Sequence, residues 1–271
     1  MKNAYAEIQT VAARAAERAA DIQRRYFETG FEITRKGEVN LLTEADLASQ
    51  DAIVETIRQA FPSHAILAEE KDLGHHHDLS GPLWIIDPID GTTNYAHRFP
   101  IFGISIGFVE DGRSTFGLIH FPMLGEWYTA TRGQGASLNQ KPIRVSAVDR
   151  IQPSLLATGF AYDRKTMKEN NLDYFAHFEM NSLSIRRPGA ASFDLACVAA
   201  GRFDGYWEFA LQPWDIAAGI VLVEEAGGRI SDLSGAPITD YNRGEMLATN
   251  GKIHEAMLSD FALLRKAKGI A

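Results

Sequence analysis

The sequence contains a single cysteine, Cys197, so no disulfide can form within the chain, and a reducing cytoplasm is the expected setting. Apolar runs of membrane-spanning length are also missing, which argues against a transmembrane helix. The opening stretch MKNAYAEIQTVAARAAERAADIQ carries acids and bases throughout and lacks the apolar core of a secretory signal. No long basic run interrupts a net charge of -8, and phosphate backbones are gripped by clustered Lys and Arg. Nucleic acid is therefore not expected as a primary ligand, nor is a membrane. An acidic chain can still handle a phosphorylated substrate if metal ions supply the positive charge. Flexible linkers, low-complexity tracts and internal repeats are absent as well. The expectation is one domain over 1–271, with halves of different texture at about 1–146 and 147–271.

What is present is ordinary globular material, 45% hydrophobic and 23% charged. Residues 4–29 form an Ala-rich amphipathic pattern with Ile8, Val11, Ala12, Ala15, Ala19 and Ile22 on one face and Gly30 as its stop. A second helix is expected from Thr43 to about Ala60. Strands are expected at AILA (65–68) and LWII (83–86), the latter ending in Asp87. Residues 101–146 look like an antiparallel meander, with Asp111-Gly112 as a two-residue hairpin turn and PIRVS (142–146) as its last strand. Beyond 150, strands alternate with helices expected near 164–180, 189–200, 213–226 and 252–266. This pattern predicts a layered α/β protein with two sheets.

Acidic residues fall where strands end or helices begin: Asp46, Glu69-Glu70, Asp87, Asp90 and Asp215. Several have plain structural readings. Thr43 and Asp46 make a capping box, and Pro213 with Asp215 suits the first turn of a helix. The stretch Asp87-Pro88-Ile89-Asp90 resists such a reading, because two carboxylates this close at the mouth of a buried strand repel each other unless something positive lies between them. Asp87, the Ile89 carbonyl and Asp90 on a turn stiffened by Pro88 make a hard-cation site of the kind Mg²⁺ prefers. Gly91-Thr92-Thr93 then offers backbone N–H groups for a phosphate.

DPIDGTTN, together with PWDIAAG and the acidic pair of AEE, resembles the inositol monophosphatase family of metal-dependent, lithium-sensitive phosphatases. The resemblance extends through FPIFGISIGFVEDG, RGQGASLN, PGAASFDLACVAAGRFDGYWE and MLATN, nearly the whole chain. Two departures stand out. Ala68 replaces the usual glycine before Glu69-Glu70, and GAAS (189–192) stands where Gly-Ser-Ala-Ala or Gly-Thr-Ala-Ala is commoner; the second should touch substrate contacts more than metal chemistry.

The resemblance implies an αβαβα sandwich and a homodimer. It also implies a first Mg²⁺ held by Glu69, Asp87 and the Ile89 carbonyl, a second held by Asp87, Asp90 and Asp215, and in some members a third near Glu69. Asp46 and Thr92 would orient and deprotonate the attacking water, and Gly91 and Thr92 would hold phosphoryl oxygens. Gly189, Ala190, Ala191 and Glu208 would contact the sugar, with Asp90 and Asp215 adjoining the substrate. The expected activity is hydrolysis of myo-inositol 1-phosphate, a small phosphorylated polyol. The alternatives are fructose 1,6-bisphosphate, histidinol phosphate, 3′-phosphoadenosine nucleotides, or a phosphatase fold with a protein-binding role. Cys197 and the four tryptophans read as packing residues, Lys36 as either near the site or plain surface, and His75-His76-His77 as an exposed loop.

Overall fold

The computed structural model describes residues 2–35, 41–71, 81–242 and 244–270, so Lys36 and the His75–His77 run lie outside the described residues. Helix α1 (Lys2–Thr29) buries Ile8, Val11, Ala12, Ala15 and Ala19 as the period predicts, and Gly30 ends it at φ +99°. A two-stranded antiparallel ribbon, β1 (Ile33–Arg35) with β2 (Leu41–Thr43), follows; the sequence reading had not anticipated it. Helix α2 (Glu44–Ala60) starts at a complete Thr43–Asp46 capping box.

The larger sheet has seven strands: β3 (Ala65–Ala68), β4 (Leu83–Asp90), β5 (Gly103–Glu110), β6 (Arg113–Phe121), β7 (Glu126–Thr131), β8 (Gly135–Leu138) and β9 (Lys141–Pro142). They lie in sequence order, parallel only between β3 and β4. The short helix α3 (Thr92–Ala96) interrupts the run after β4. Asp111 and Gly112 turn the β5–β6 hairpin with φ of 49° and 72°, as a tight two-residue turn requires. The expected PIRVS strand shrinks to Lys141–Pro142: the Ile143 amide still bonds to Ala136 O of β8, but the Val145 amide bonds to Ala226 O instead.

The smaller sheet is built from β10 (Leu155–Thr158), β11 (Ser184–Arg186), β12 (Gly205–Phe209), β13 (Arg229–Ser231) and β14 (Glu245–Thr249), in the order β11-β10-β12-β14-β13. Its helices are α4 (Leu172–Asn181), α5 (Ala191–Ala199), α6 (Pro213–Glu225) and α7 (His254–Ala267). Helix α4 starts well after the expected residue 164. Residues 161–171 are turns and loop, ending at a buried Asn171 with φ +70° that no helix accommodates.

Alternation along single strands sets the layers. On β4, Trp84 and Ile86 face α1 and α2, while Leu83 and Ile85 face α5 and α6. On β12, Tyr206 joins the core with α5 and α6, while Trp207 packs against Phe178 of α4 and Phe261 of α7. The result is an αβαβα sandwich in which α5 and α6 are shared by both sheets. Helix α6 sits so close to the larger sheet that a Cβ on Gly117 would lie 2.4 Å from Ala218 O, and one on Gly107 2.7 Å from Ala217 Cβ. These two glycines set the height of the helix that carries Asp215.

Candidate active site

Strand β4 does not stop at Asp87. It runs on through Asp90, with its register against β5 shifted between those two aspartates. Pro88 has no N–H to pair, so the strand bulges there, and its carbonyl accepts from the buried Gln23 Nε2 at 2.8 Å. Asp87 Oδ1 accepts the Ile89 N–H at 3.0 Å. Gly91 then turns the chain into α3 at φ +94°, where a Cβ would stand 3.0 Å from Ile101 O, so only glycine fits. Helix α3, opened by Gly91, spans five residues.

Asp215 arrives from α6, its Oδ2 capping the Gln212 N–H at 2.7 Å. Ser105 Oγ donates to Trp214 O at 3.2 Å and ties that helix start to β5. Carboxylate oxygens of Asp87, Asp90 and Asp215 thereby meet within 4.8 Å of one another. Glu69 is not part of that close group but adjoins it, since its charge is the largest carboxylate influence on Asp87. Glu70 is placed by α2, its N–H donating to Gln50 Oε1 at 2.8 Å.

Burial pushes all three clustered carboxyls upward. The neighbours that push Asp87 further are Glu69, Asp90, Asp215 and Glu70, and those that push Asp215 are Asp90, Glu69 and Glu208. Asp90 is eased by hydrogen bonds from Ser192 and Ala191 at the start of α5. Two buried aspartates and a partly buried third, with Asp90 and Asp215 raising Asp87 and Asp90 raising Asp215, form the donor set a hard divalent cation would relieve, so the residues fit such a metal.

Asp46 both caps α2 and reaches this cluster. Its Oδ2 accepts the Thr43 N–H at 2.7 Å and the Thr43 hydroxyl, and its Oδ1 accepts from Thr92 Oγ1 at 3.1 Å. Thr92 Oγ1 is equally close to Ile89 O, so one proton serves two acceptors. Burial raises Asp46 to about 6, with Glu70 adding to it and the two threonines opposing it. Glu208 lies in β12, its carboxylate accepting from Tyr206 OH at 2.7 Å and pushed up to about 7 by burial. Gly189 has φ +86°, and the buried Ala190 and Ala191 begin α5 beside Asp90.

The sequence pattern that defines the inositol monophosphatase family matches residues 4–265. The chain belongs to this family. An inositol-1-monophosphatase from Synechocystis is 45% identical over 228 residues, covering 83% of this chain and 78% of that protein. The Nus factor SuhB of Escherichia coli is 39% identical over 255 residues, covering 92% of this chain and 94% of that one. The solved structure of inositol monophosphatase from Anabaena (Nostoc) superposes with a TM-score of 0.85 at 40% identity, covering 94% of this chain and 96% of that chain. Family membership makes the chain one of a set of metal-dependent phosphatases acting on small phosphorylated substrates.

Within this inositol monophosphatase fold, three site neighbours escaped the sequence reading. Ser192 N donates to Asp90 Oδ2 at 2.6 Å. That donor is a backbone N–H, which any residue but proline would supply, so the contact does not depend on the GAAS departure. Asn94 Nδ2 donates to Ile101 O at 2.7 Å and to Pro188 O at 2.8 Å, fastening α3 to the segment before α5. The hydroxyl of Tyr162 stands 3.3 Å from Thr93 Oγ1, next to the acids. The motifs give no signal for Tyr162, which falls in a turn between the strand ending near 160 and the helix expected from 164. Among the tryptophans, Trp84 and Trp207 are fully buried and Trp127 and Trp214 partly so. Cys197 is buried, its thiol pushed up to about 12, as suits a packing residue.

Proposed function

We propose that the chain is a Mg²⁺-dependent phosphomonoesterase whose preferred substrate is myo-inositol 1-phosphate. The observation that carries this reading is the meeting of Asp87, Asp90 and Asp215 within 4.8 Å, beside the Asp46–Thr92 pair. Glu69, Asp87 and the Ile89 carbonyl would hold one ion, and Asp87, Asp90 and Asp215 a second, with a third near Glu69. When bound, Mg²⁺ supplies positive charge that offsets the phosphate's and lowers the pKa of water.

The chain's own residues supply the rest. Thr92 gives its proton to Asp46 Oδ1 and so turns an oxygen lone pair toward the water it orients. Asp46, aligned by Thr43, accepts the proton that passes through the threonine. The N–H groups of Gly91 and Thr92 hold phosphoryl oxygens. Glu208 accepts hydrogen bonds from polyol hydroxyls, and Gly189, Ala190 and Ala191 line the sugar. No protein nucleophile is required.

The name of the Synechocystis relative supports an inositol ester. Glu208, close enough to Asp90 and Asp215 to interact with their charges, favours a polyol, whose hydroxyls it can accept from. A panel of inositol 1-phosphate, fructose 1,6-bisphosphate, histidinol phosphate and 3′-phosphoadenosine esters tests the reading by phosphate release. The inositol ester should be fastest, Li⁺ should inhibit, and excess EDTA should stop turnover; full turnover in EDTA would sink the proposal.

The working unit is proposed to be a homodimer of single-domain chains. Met180 and Leu183, 83% and 69% exposed beside the edge strand β11, support a covered face there. Sedimentation of the wild type against Leu183→Asp checks this, the variant being expected to shift toward monomer. A monomeric wild type would refute it.

A further inference from the structure

The segment between β10 and α4 is irregular, yet buried hydrogen bonds fix it against the strand that carries Glu208. Thr158 Oγ1 donates to Trp207 O at 2.6 Å, and Trp207 Nε1 donates to Asn171 Oδ1 at 2.6 Å. Asn171 Nδ2 returns to Thr158 Oγ1 at 2.8 Å and to Gly159 O at 2.7 Å. All three side chains are buried. Gly159 lies so tightly on Glu208 that a Cβ there would stand 2.2 Å from each carboxylate oxygen. Residues 158–162 therefore form a wall placed by Glu208 itself.

Tyr162 projects from the end of that wall. Its hydroxyl approaches Thr93 Oγ1 at 3.3 Å, so the side chain spans from the β10–β12 side of the site to α3. Half of its surface, 50%, stays exposed. Burial raises its phenol pKa, and Glu69, Asp90 and Asp215 raise it further, so it is a neutral group close to the acids. A lone exposed aromatic is ordinary. One anchored at its tip, carried on a segment locked against Glu208 and set at the mouth of a carboxylate site, presents an apolar face to whatever alcohol enters.

A cyclic polyol has C–H faces and O–H edges. An aromatic ring covers the first and a carboxyl accepts from the second. We propose that Tyr162 is a specificity-determining contact for the leaving alcohol, its ring covering one face of a cyclic polyol whose hydroxyls bind Glu208. This deepens the polyol-phosphatase reading and rests on it.

The test compares Tyr162→Ala and Tyr162→Phe in the full chain at saturating Mg²⁺, with inositol 1-phosphate and the acyclic glycerol 2-phosphate as substrates. Tyr162→Ala should raise KM for the inositol ester about tenfold with kcat within about twofold, a loss of binding alone. Tyr162→Phe, which keeps the ring, should stay within about threefold of wild type. KM for glycerol 2-phosphate and the calorimetric affinity for inorganic phosphate should not change in either variant. The proposal is overturned by an unchanged KM in Tyr162→Ala, by equal losses on both esters, by weakened phosphate binding, or by a Phe variant as poor as Ala. If the wild type releases phosphate from neither ester, the phosphatase reading fails by itself. Calorimetric titration of inositol 1-phosphate into wild type and Tyr162→Ala then judges the contact, equal affinities overturning it.

Discussion

At the scale of single residues, the site turns on which carboxyls are forced together and which are held apart. Asp90 is pressed by burial and supported by donors at the start of α5, so it depends on a cation more than a surface acid would. Asp90→Asn should be nearly inactive and should bind Mg²⁺ more weakly by calorimetry; equal metal affinity would remove Asp90 from the ligand set. Thr92→Ala should lower kcat by about 10²-fold or more, the scale of a positioned proton-transfer group, while leaving Mg²⁺ affinity intact. The structure sharpens that test, because Gly91 and not Thr92 is the cap of α3. In its proposed role Asp46 must be ionised to accept the proton. Its raised pKa, about 6, places the acid limb of the pH–rate profile above the ordinary aspartate value of 3.8. Thr43 hydrogen bonds stabilise the ionised form, so Thr43→Val should move the limb to higher pH, as well as costing about 1 kcal/mol as a lost cap. A limb that stays in place would separate Asp46 from catalysis.

At the scale of elements, the site depends on how closely α6 rides on the larger sheet. A methyl at Gly117 would meet the backbone carbonyl of Ala218 at 2.4 Å, and a backbone atom cannot swing aside as a side chain can. Gly117→Ala should therefore cost about 1–3 kcal/mol in chemical denaturation and weaken Mg²⁺ binding through displaced Asp215. Wild-type metal affinity in a destabilised variant would show that the helix position does not govern the cluster. The same scale shows where sequence reading succeeds and stalls. Helices α1 and α2 were legible because apolar periodicity, Gly30 and the Thr43–Asp46 box are local signals. The start of α4 was not, because Asn171 is held at positive φ by Trp207 and Thr158, partners distant in sequence. Strand β4 was read as ending at Asp87, since carboxylates resemble a strand's solvent end; pairing with Gly103 carries it on to Asp90.

At the scale of the whole molecule, two sheets share α5 and α6, and the proposed ligands come from elements in both halves. Unfolding should therefore be a single cooperative transition by calorimetry; two separated transitions would contradict the single-domain proposal. The raised carboxyls also give a sign to the pH dependence. Asp46, Asp87, Asp90 and Asp215 hold protons more tightly folded than unfolded, so metal-free stability falls as pH rises from the unfolded value near 3.8 through the folded values. Mg²⁺ bound to the ionised carboxylates, as proposed, would reverse this. At about a hundredfold excess over Kd it should raise Tm by roughly 5–10 °C at about pH 7.5 and much less at about pH 5. An equal rise at both would deny that these acids are the ligands.

The sequence by itself determined the chemistry on offer: acids at strand ends and helix starts, an Asp-Pro-Ile-Asp stretch followed by glycine, and the family these motifs resemble. Those are properties of residue type and short spacing, which survive without coordinates. Only the tertiary structure decided which acids share one space. It brought Asp215 to Asp87 across nearly half the chain, laid Ser192 on Asp90, and set Tyr162 against Thr93. Such neighbours are chosen by how α5 and α6 pack between two sheets, and that packing is a sum over many weak apolar contacts that no short motif records.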